Sequence, residues 1–272
     1  MIPRLSLNQA TTTQWTVPQA VAGCVSAGVA GIGLWRAPVA EYGLDRTAKL
    51  VRDAGLTVTS LCRGGFFADP DAINDNRRAI EEAATLGTGI LILVCGGMAP
   101  GSRDIDGARQ HVVDSIAELA PYAQDHGVQL SIEPLHPMFC ADRSVVSTLD
   151  QAVDMASRFP ASQVGVCVDT YHIWWDPNVY RAIERAGDRI SIFQVCDWIT
   201  PLPEGVLLGR GMMGDGCIEL RRLREAVDAT GYEGPIEVEI FNQTIWNAPG
   251  QTVLTRVVRT FQDHVLPDDR SA

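Results

Sequence analysis

The sequence predicts an α/β chain folded as a closed (β/α)8 barrel, and three observations carry that expectation. Short apolar runs alternate with amphipathic stretches along the whole chain, eight of each, with no linker or low-complexity segment between them. The strand-like runs recur about every 33 residues, the length of one βα unit, and eight such units suit a 272-residue chain. A doubly wound open sheet is the rival. Its phosphate fingerprint is missing where it should stand, because "GIGLWR" has two glycines and does not complete GxGxxG, and GxxxxGK[ST] is absent.

The elements follow in order. A strand at 5–9 leads to a helix at 17–26, with Pro18 in its first turn where the missing N–H costs nothing. A strand at 29–35 and a helix at 44–54, closed by the glycine of "DAGL", form the second unit. The third pairs 57–62 with 74–86, closed in "TLGTG", and the fourth pairs 89–95 with 105–126, closed in "DHGV". The fifth joins 128–133 to a helix at 149–158, whose start "TLDQ" fits a capping box on Thr148 and Gln151. The last three pair 164–169 with 179–186, 190–195 with 219–230 and 236–241 with 252–264. Runs such as "IAELAPYA" and "LRRLREAV" repeat apolar residues at three- and four-residue spacing, the mark of a helix with one buried face. Residues 1–272 therefore read as one domain.

Composition narrows the function. Hydrophobic residues make up 46% of the chain, enough for a large core. A net charge of −11 repels a phosphate backbone and argues against nucleic acid as a partner. The longest apolar run, "GILILVCGGMA", is too short to cross a bilayer, and "MIPRLSLNQATTTQW" lacks a leader pattern, so the expectation is a soluble cytoplasmic protein without a membrane partner. Seven cysteines, odd in number and never arranged as CxxC, read as small core residues.

In this fold the catalytic face lies at the C-terminal ends of the strands. There the last four strands each offer an oxygen: Glu133 in "SIEPLHP", Asp169 in "VDTYH", Gln194 in "FQVCD" and Glu239 in "IEVEIF". Buried carboxylates need a cationic partner, and three carboxylates with one amide form a hard-oxygen set suited to one divalent ion. Mn²⁺ or Mg²⁺ is the first expectation, ahead of Co²⁺ or Zn²⁺. His136 and His172 sit three residues beyond Glu133 and Asp169, placed to bind a substrate oxygen or move a proton. Trp174 and Trp198 follow ligand strands and are candidates to pack on a sugar face. Arg63 with Gly64 and Gly65, and Gly96 with Gly97, are weak candidates for an anion site.

The motifs "SIEPLHP", "VDTYH", "FQVCDW", "GRGMMGDGCIEL" and "GYEGPIEVEIF" resemble those of the xylose isomerase-like TIM barrel superfamily, in detail over 128–242. Members similar in these motifs include hydroxypyruvate isomerase, ketose 3-epimerases, inosose dehydratase and 3-dehydroshikimate dehydratase. The resemblance implies a metal held by Glu133, Asp169, Gln194 and Glu239, with glutamine where ketose epimerases carry histidine. It implies that Glu133 and Glu239 act as acid and base on opposite sides of the substrate, with His172 and Arg210 positioning it. The implied reaction is an isomerisation or epimerisation of a keto-sugar or related polyol through an enediolate. Elimination from the same enolate, by a lyase or dehydratase acting on a sugar, cyclitol or sugar acid, is the alternative. A non-catalytic sugar-binding barrel and an endonuclease IV-like nuclease stand further behind, and the family habit implies a homodimer or homotetramer.

Overall fold

The barrel strands are β1 (Leu5–Asn8), β2 (Gly31–Trp35), β3 (Thr57–Gly65), β4 (Ile90–Val94), β5 (Gln129–Glu133), β6 (Val164–Asp169), β7 (Ile190–Val195) and β10 (Ile236–Val238). A separate antiparallel pair, β8 (Asp197–Trp198) and β9 (Arg210–Gly211), lies between the last two. The computed structural model describes residues 2, 4–203 and 205–267. The eight barrel strands are parallel and close in the order β1-β10-β7-β6-β5-β4-β3-β2, as the alternating pattern predicts.

Both faces of each strand are covered, which is why the strands read as near-continuous apolar runs. In β4, Leu91 and Leu93 join the large core under the helices, while Ile92 points inward to Cys62, Cys167 and Ile192. Each fully buried aliphatic side chain contributes about 1.5–3 kcal/mol. The helices answer with matching stripes: Ala72–Leu86 buries Ala72, Asn76, Ala79, Ile80, Ala83 and Leu86. Gly55, Gly87, Gly127 and Gly231 follow helix ends at φ of 70°, 76°, 70° and 89°, as the glycines of "DAGL", "TLGTG", "DHGV" and "ATGYEG" predict. Among the described residues no helix is long and apolar enough to cross a membrane.

The barrel interior is partly polar. Glu237, fully buried on β10, accepts hydrogen bonds from Asn8 (2.7 Å), Thr59 (2.6 Å), Ser60 (2.9 Å) and Gln194 (2.8 Å). A Cβ at Gly33 would stand 2.4 Å from Glu237 Oε2, so the second glycine of "GIGLWR" makes room for this carboxylate. The run Gly209–Gly214, "GRGMMG", does have GxGxxG spacing, but it forms β9 and a turn instead of joining a parallel strand to a helix.

Two strand boundaries differ from expectation by three residues, for local reasons, and the others by two at most. β3 runs on to Gly65 because its pairing with β4 shifts register between Cys62 and Gly64, carrying the ladder past Arg63. β10 stops at Val238 because Ile240 N donates to Thr11 Oγ1 instead of to a neighbouring strand. The β8–β9 pair and the short helices Arg36–Tyr42, Thr170–Ile173 and Gln243–Trp246 carry too few residues for a periodic signal.

Candidate active site

Strand register decides which side chains reach the mouth of the barrel. Asp169 on β6 pairs with Gln194 on β7, Gln194 with Glu237 on β10, and Glu237 with Ser6 on β1. Alternation puts Glu239 on the same face as Glu237 and one level nearer the mouth. Gln194 is bound into the lower level: its Nε2 donates to Glu237 Oε1 at 2.8 Å, and its Oε1 accepts from the Cys167 thiol at 3.3 Å. Glu133, Asp169, His172, Arg210 and Glu239 meet above it, all nearly or fully buried.

His172 rides on the helix Thr170–Ile173, whose first turn is capped by Asp169 Oδ1 accepting from Tyr171 N at 2.9 Å. The backbone N–H of His136 donates to His172 Nδ1 at 3.0 Å. In a neutral imidazole that bond leaves the proton on Nε2. Nε2 lies 3.7 Å from Asp169 Oδ2 and 3.9 Å from Glu133 Oε1. One ligand atom from each of these three residues falls within 4.8 Å of the others, close enough to hold a metal ion. The Nε2 proton, however, fits His172 better to donating to a substrate oxygen than to giving a metal its lone pair.

Arg210 spans the cluster. Its Nη1 donates to Asp169 Oδ2 at 2.9 Å and Glu239 Oε2 at 3.0 Å, and its Nη2 lies 3.1 Å from His172 Nε2. The guanidinium is held between the rings of Tyr171 and Phe241, each centroid 4.8 Å away. Asn242 Nδ2 donates to the Arg210 carbonyl at 2.9 Å, and Asp197 accepts from the amides of Gly214 and Ile218 at 2.9 Å each, tying down the loop that carries Arg210.

Burial drives the electrostatics. It pushes the Glu133 carboxyl well above the usual range, and the charges of Glu239 and Asp169 add to the rise. Glu239 is pushed up to about 8 by burial, against the opposing charge of Arg210 and with the help of Asp169 and Glu237. Asp169 is raised by burial although Arg210 and the Tyr171 amide oppose it. His172 is held well below its ordinary value by burial, with the Arg210 charge next, and is therefore neutral. Among the described residues no hydrogen bond reaches the Glu133 carboxylate, and Arg210 is the one guanidinium ion-paired within the cluster, with Arg143 opposing the Glu133 rise from farther off. This oxygen-rich set, short of positive charge, fits a divalent cation.

The cluster opens into a narrow cavity of about 30 Å³ walled by Trp35, Phe139, Phe241, Leu135, Arg63 and Arg143, among others. Trp198, expected on the substrate, stacks instead on Tyr171 at 4.7 Å and meets His136 at 4.9 Å and Trp174 at 5.5 Å. His136, Trp174 and Trp198 thus form an aromatic backing behind His172, and none of them lines the cavity. Sequence reasoning missed Phe139, Phe241 and Arg143 as wall residues. Phe241 ends the last strand as the sequence predicts it and was within reach, whereas Phe139 and Arg143 sit in a loop with no pattern. The backbone amides weighed as an anion site are engaged elsewhere: Gly65 N donates to Asn76 Oδ1 at 2.7 Å and Gly96 N to the Arg143 carbonyl at 2.9 Å.

Comparison with known proteins fits this geometry. A 3-dehydroshikimate dehydratase of Pseudomonas aeruginosa is 27% identical over 251 residues, 86% of this chain and 37% of that protein. The chain thus spans little more than a third of the length of the dehydratases it matches. Other relatives, at lower coverage, are named as epimerases and isomerases. Among solved structures, a protein from Sinorhizobium meliloti is 44% identical and superposes with a TM-score of 0.95 over 98% of this chain and all of its own. The IolI protein with a bound zinc atom superposes at 0.85, with 22% identity over 96% of this chain and 98% of its own, which bears on the fold. The profile of one family matches residues 21–261, and the chain belongs to that family, the xylose isomerase-like TIM barrels.

Proposed function

We propose that the chain is a divalent-metal-dependent isomerase or epimerase that acts on a keto-sugar or related polyol by removing a proton next to a carbonyl. The observation that carries this reading is the pairing of Glu133 and Glu239. They stand on barrel strands separated by β6 and β7, both buried, both raised in pKa and both lining one cavity. A raised carboxyl pKa brings the group nearer the working pH, where one carboxylate takes the proton and a protonated partner returns it.

Glu133, Asp169 and Glu239 would hold the cation, with Gln194 the fourth candidate. A cation there supplies Lewis-acid polarisation of the carbonyl and its neighbouring hydroxyl. The chain's own residues do the rest. Neutral His172, its proton on Nε2, donates to a substrate oxygen as negative charge develops in the enediolate. Arg210 donates to the same region, and Trp35, Phe139 and Phe241 exclude water from the reacting face. The zinc named in the IolI structure supports a divalent metal in a barrel of this fold, and donor chemistry favours Mn²⁺ or Mg²⁺.

A second reading has its own support. The dehydratase alignment covers 86% of the chain, and the same enolate becomes an elimination when a β-hydroxyl leaves. Incubating the metal-loaded protein with keto-sugars, keto-cyclitols and keto acids in deuterated water separates the two. Deuterium uptake with conserved mass points to isomerisation or epimerisation, loss of water to dehydration, and no exchange with any of them sinks both. A cytoplasmic protein, one domain over 1–272, assembled as a dimer or tetramer, completes the proposal, and light scattering tests the assembly.

A further inference from the structure

Two guanidinium groups in the cavity have no acidic partner. Arg63, at the end of β3, and Arg143, in the loop after β5, both line the wall, both are half-buried, and among the described residues neither side chain makes a hydrogen bond or ion pair. Other arginines near the mouth are committed: Arg36 to Asp75 at 2.7 Å and Glu82 at 2.6 Å, and Arg210 to Asp169 and Glu239. Arg63 lies over the Phe66 ring at 3.8 Å and Arg143 over Phe139 at 5.8 Å, so apolar surface, not a counter-ion, steers each group. Arg63 also borders an adjoining hollow of about 440 Å³ walled by Trp35, Arg36 and Phe66 among others.

We propose that Arg63 and Arg143 form an anion subsite beside the metal cluster, and that the substrate is a hydroxylated keto acid whose carboxylate they bind. This rests on the enolising reading above and narrows its substrate. Two like charges together in a half-buried wall are unfavourable unless an anion balances them, and the two groups do oppose each other: burial, then the Arg143 charge, lowers the Arg63 pKa, and the opposing charges of Cys62 and Glu133 do not cancel this. Guanidinium donors match a planar carboxylate in bidentate fashion. A phosphate would call on more donors, and neighbouring amides are spent: Gly65 N on Asn76, Phe66 N on the Val94 carbonyl, Phe67 N on the Cys95 carbonyl and Gly96 N on the Arg143 carbonyl. The chain's net charge of −11 makes this basic pair a local exception that would otherwise steer anions away.

Calorimetric titration of the metal-loaded protein tests the subsite without turnover. The probes are D-gluconate and quinate, their neutral counterparts sorbitol and myo-inositol, and glucose 6-phosphate. At least one acid should bind about tenfold or more tighter than its neutral counterpart, and Arg143→Gln and Arg63→Gln should each weaken that acid by about ten- to a hundredfold while leaving the neutral ligand unchanged. Arg143→Lys, which keeps the charge, should recover part of the loss. Acids binding no tighter than neutral ligands, no acid binding below about 10 mM, equal losses for both, or preference for the phosphate ester would each overturn the proposal. Failure of the enolising reading looks different: acids bind, but no keto acid exchanges its proton in deuterated water.

Discussion

At the mouth of the barrel, Glu133 and Glu239 are alike in burial and unlike in partners. Glu239 is held by Arg210 and receives a weak thiol contact from Cys62, whereas among the described residues the Glu133 carboxylate has no hydrogen bond and meets His172 at 3.9 Å. Glu133→Gln and Glu239→Gln should each lower turnover by at least about a hundredfold, the scale of a lost acid–base group. Metal analysis alongside the rates distinguishes lost chemistry from a lost cation, and near-normal turnover in either variant would remove it from the mechanism. Deeper in, Gly33→Ala drives a Cβ into the Glu237 carboxylate, 2.4 Å away, and should cost about 1–3 kcal/mol in urea unfolding. An unchanged midpoint would mean that the interior shifts freely. The candidate residues Glu133, Asp169 and Glu239 were legible as a cluster because a polar residue ending an apolar strand stands out. The level of Gln194 was not, because it depends on pairing between strands distant in sequence.

The barrel strands and their helices were legible because burial on both faces of a parallel strand leaves an apolar run, and each helix must present one stripe to it. The β8–β9 pair was not, since two residues per strand carry no period, yet it positions Arg210 opposite Trp198. Asp197, 1% exposed, holds that excursion by accepting from the amides of Trp198, Gly214 and Ile218. Asp197→Ala leaves those donors without their partner and frees the Arg210 loop. We expect kcat/KM to fall by about tenfold or more with metal content unchanged, because the loop contributes positioning and not ligands. Loss of metal in this variant would instead make Asp197 part of the cation's support.

For the whole molecule, the cluster of buried acids ties stability to pH and metal. Between its unfolded value of 4.5 and about 8, folded Glu239 keeps a proton that the unfolded chain has released. The unfolded state therefore binds fewer protons, so folding stability falls as pH rises through that window. In chelator, Tm should decrease from pH 6.5 to 8, above the range in which keeping His172 neutral pulls the other way, and a cation that binds the folded state should reduce the drop and raise Tm with its concentration. A flat or rising Tm in chelator would contradict the charge balance argued for the site. The closed barrel also sorts the seven cysteines: Cys24, Cys62, Cys95, Cys167 and Cys196 are buried, Cys140 is half-buried, and Cys217 is exposed. Cys217 N donates to the Trp198 carbonyl at 3.2 Å, so its thiol rides on the excursion that carries Arg210. Nature has thus supplied a labelling handle: a thiol-reactive fluorophore attached under mildly alkaline conditions, since burial and Asp197 raise this thiol's pKa, would report movement of the Arg210 loop in the unmodified sequence.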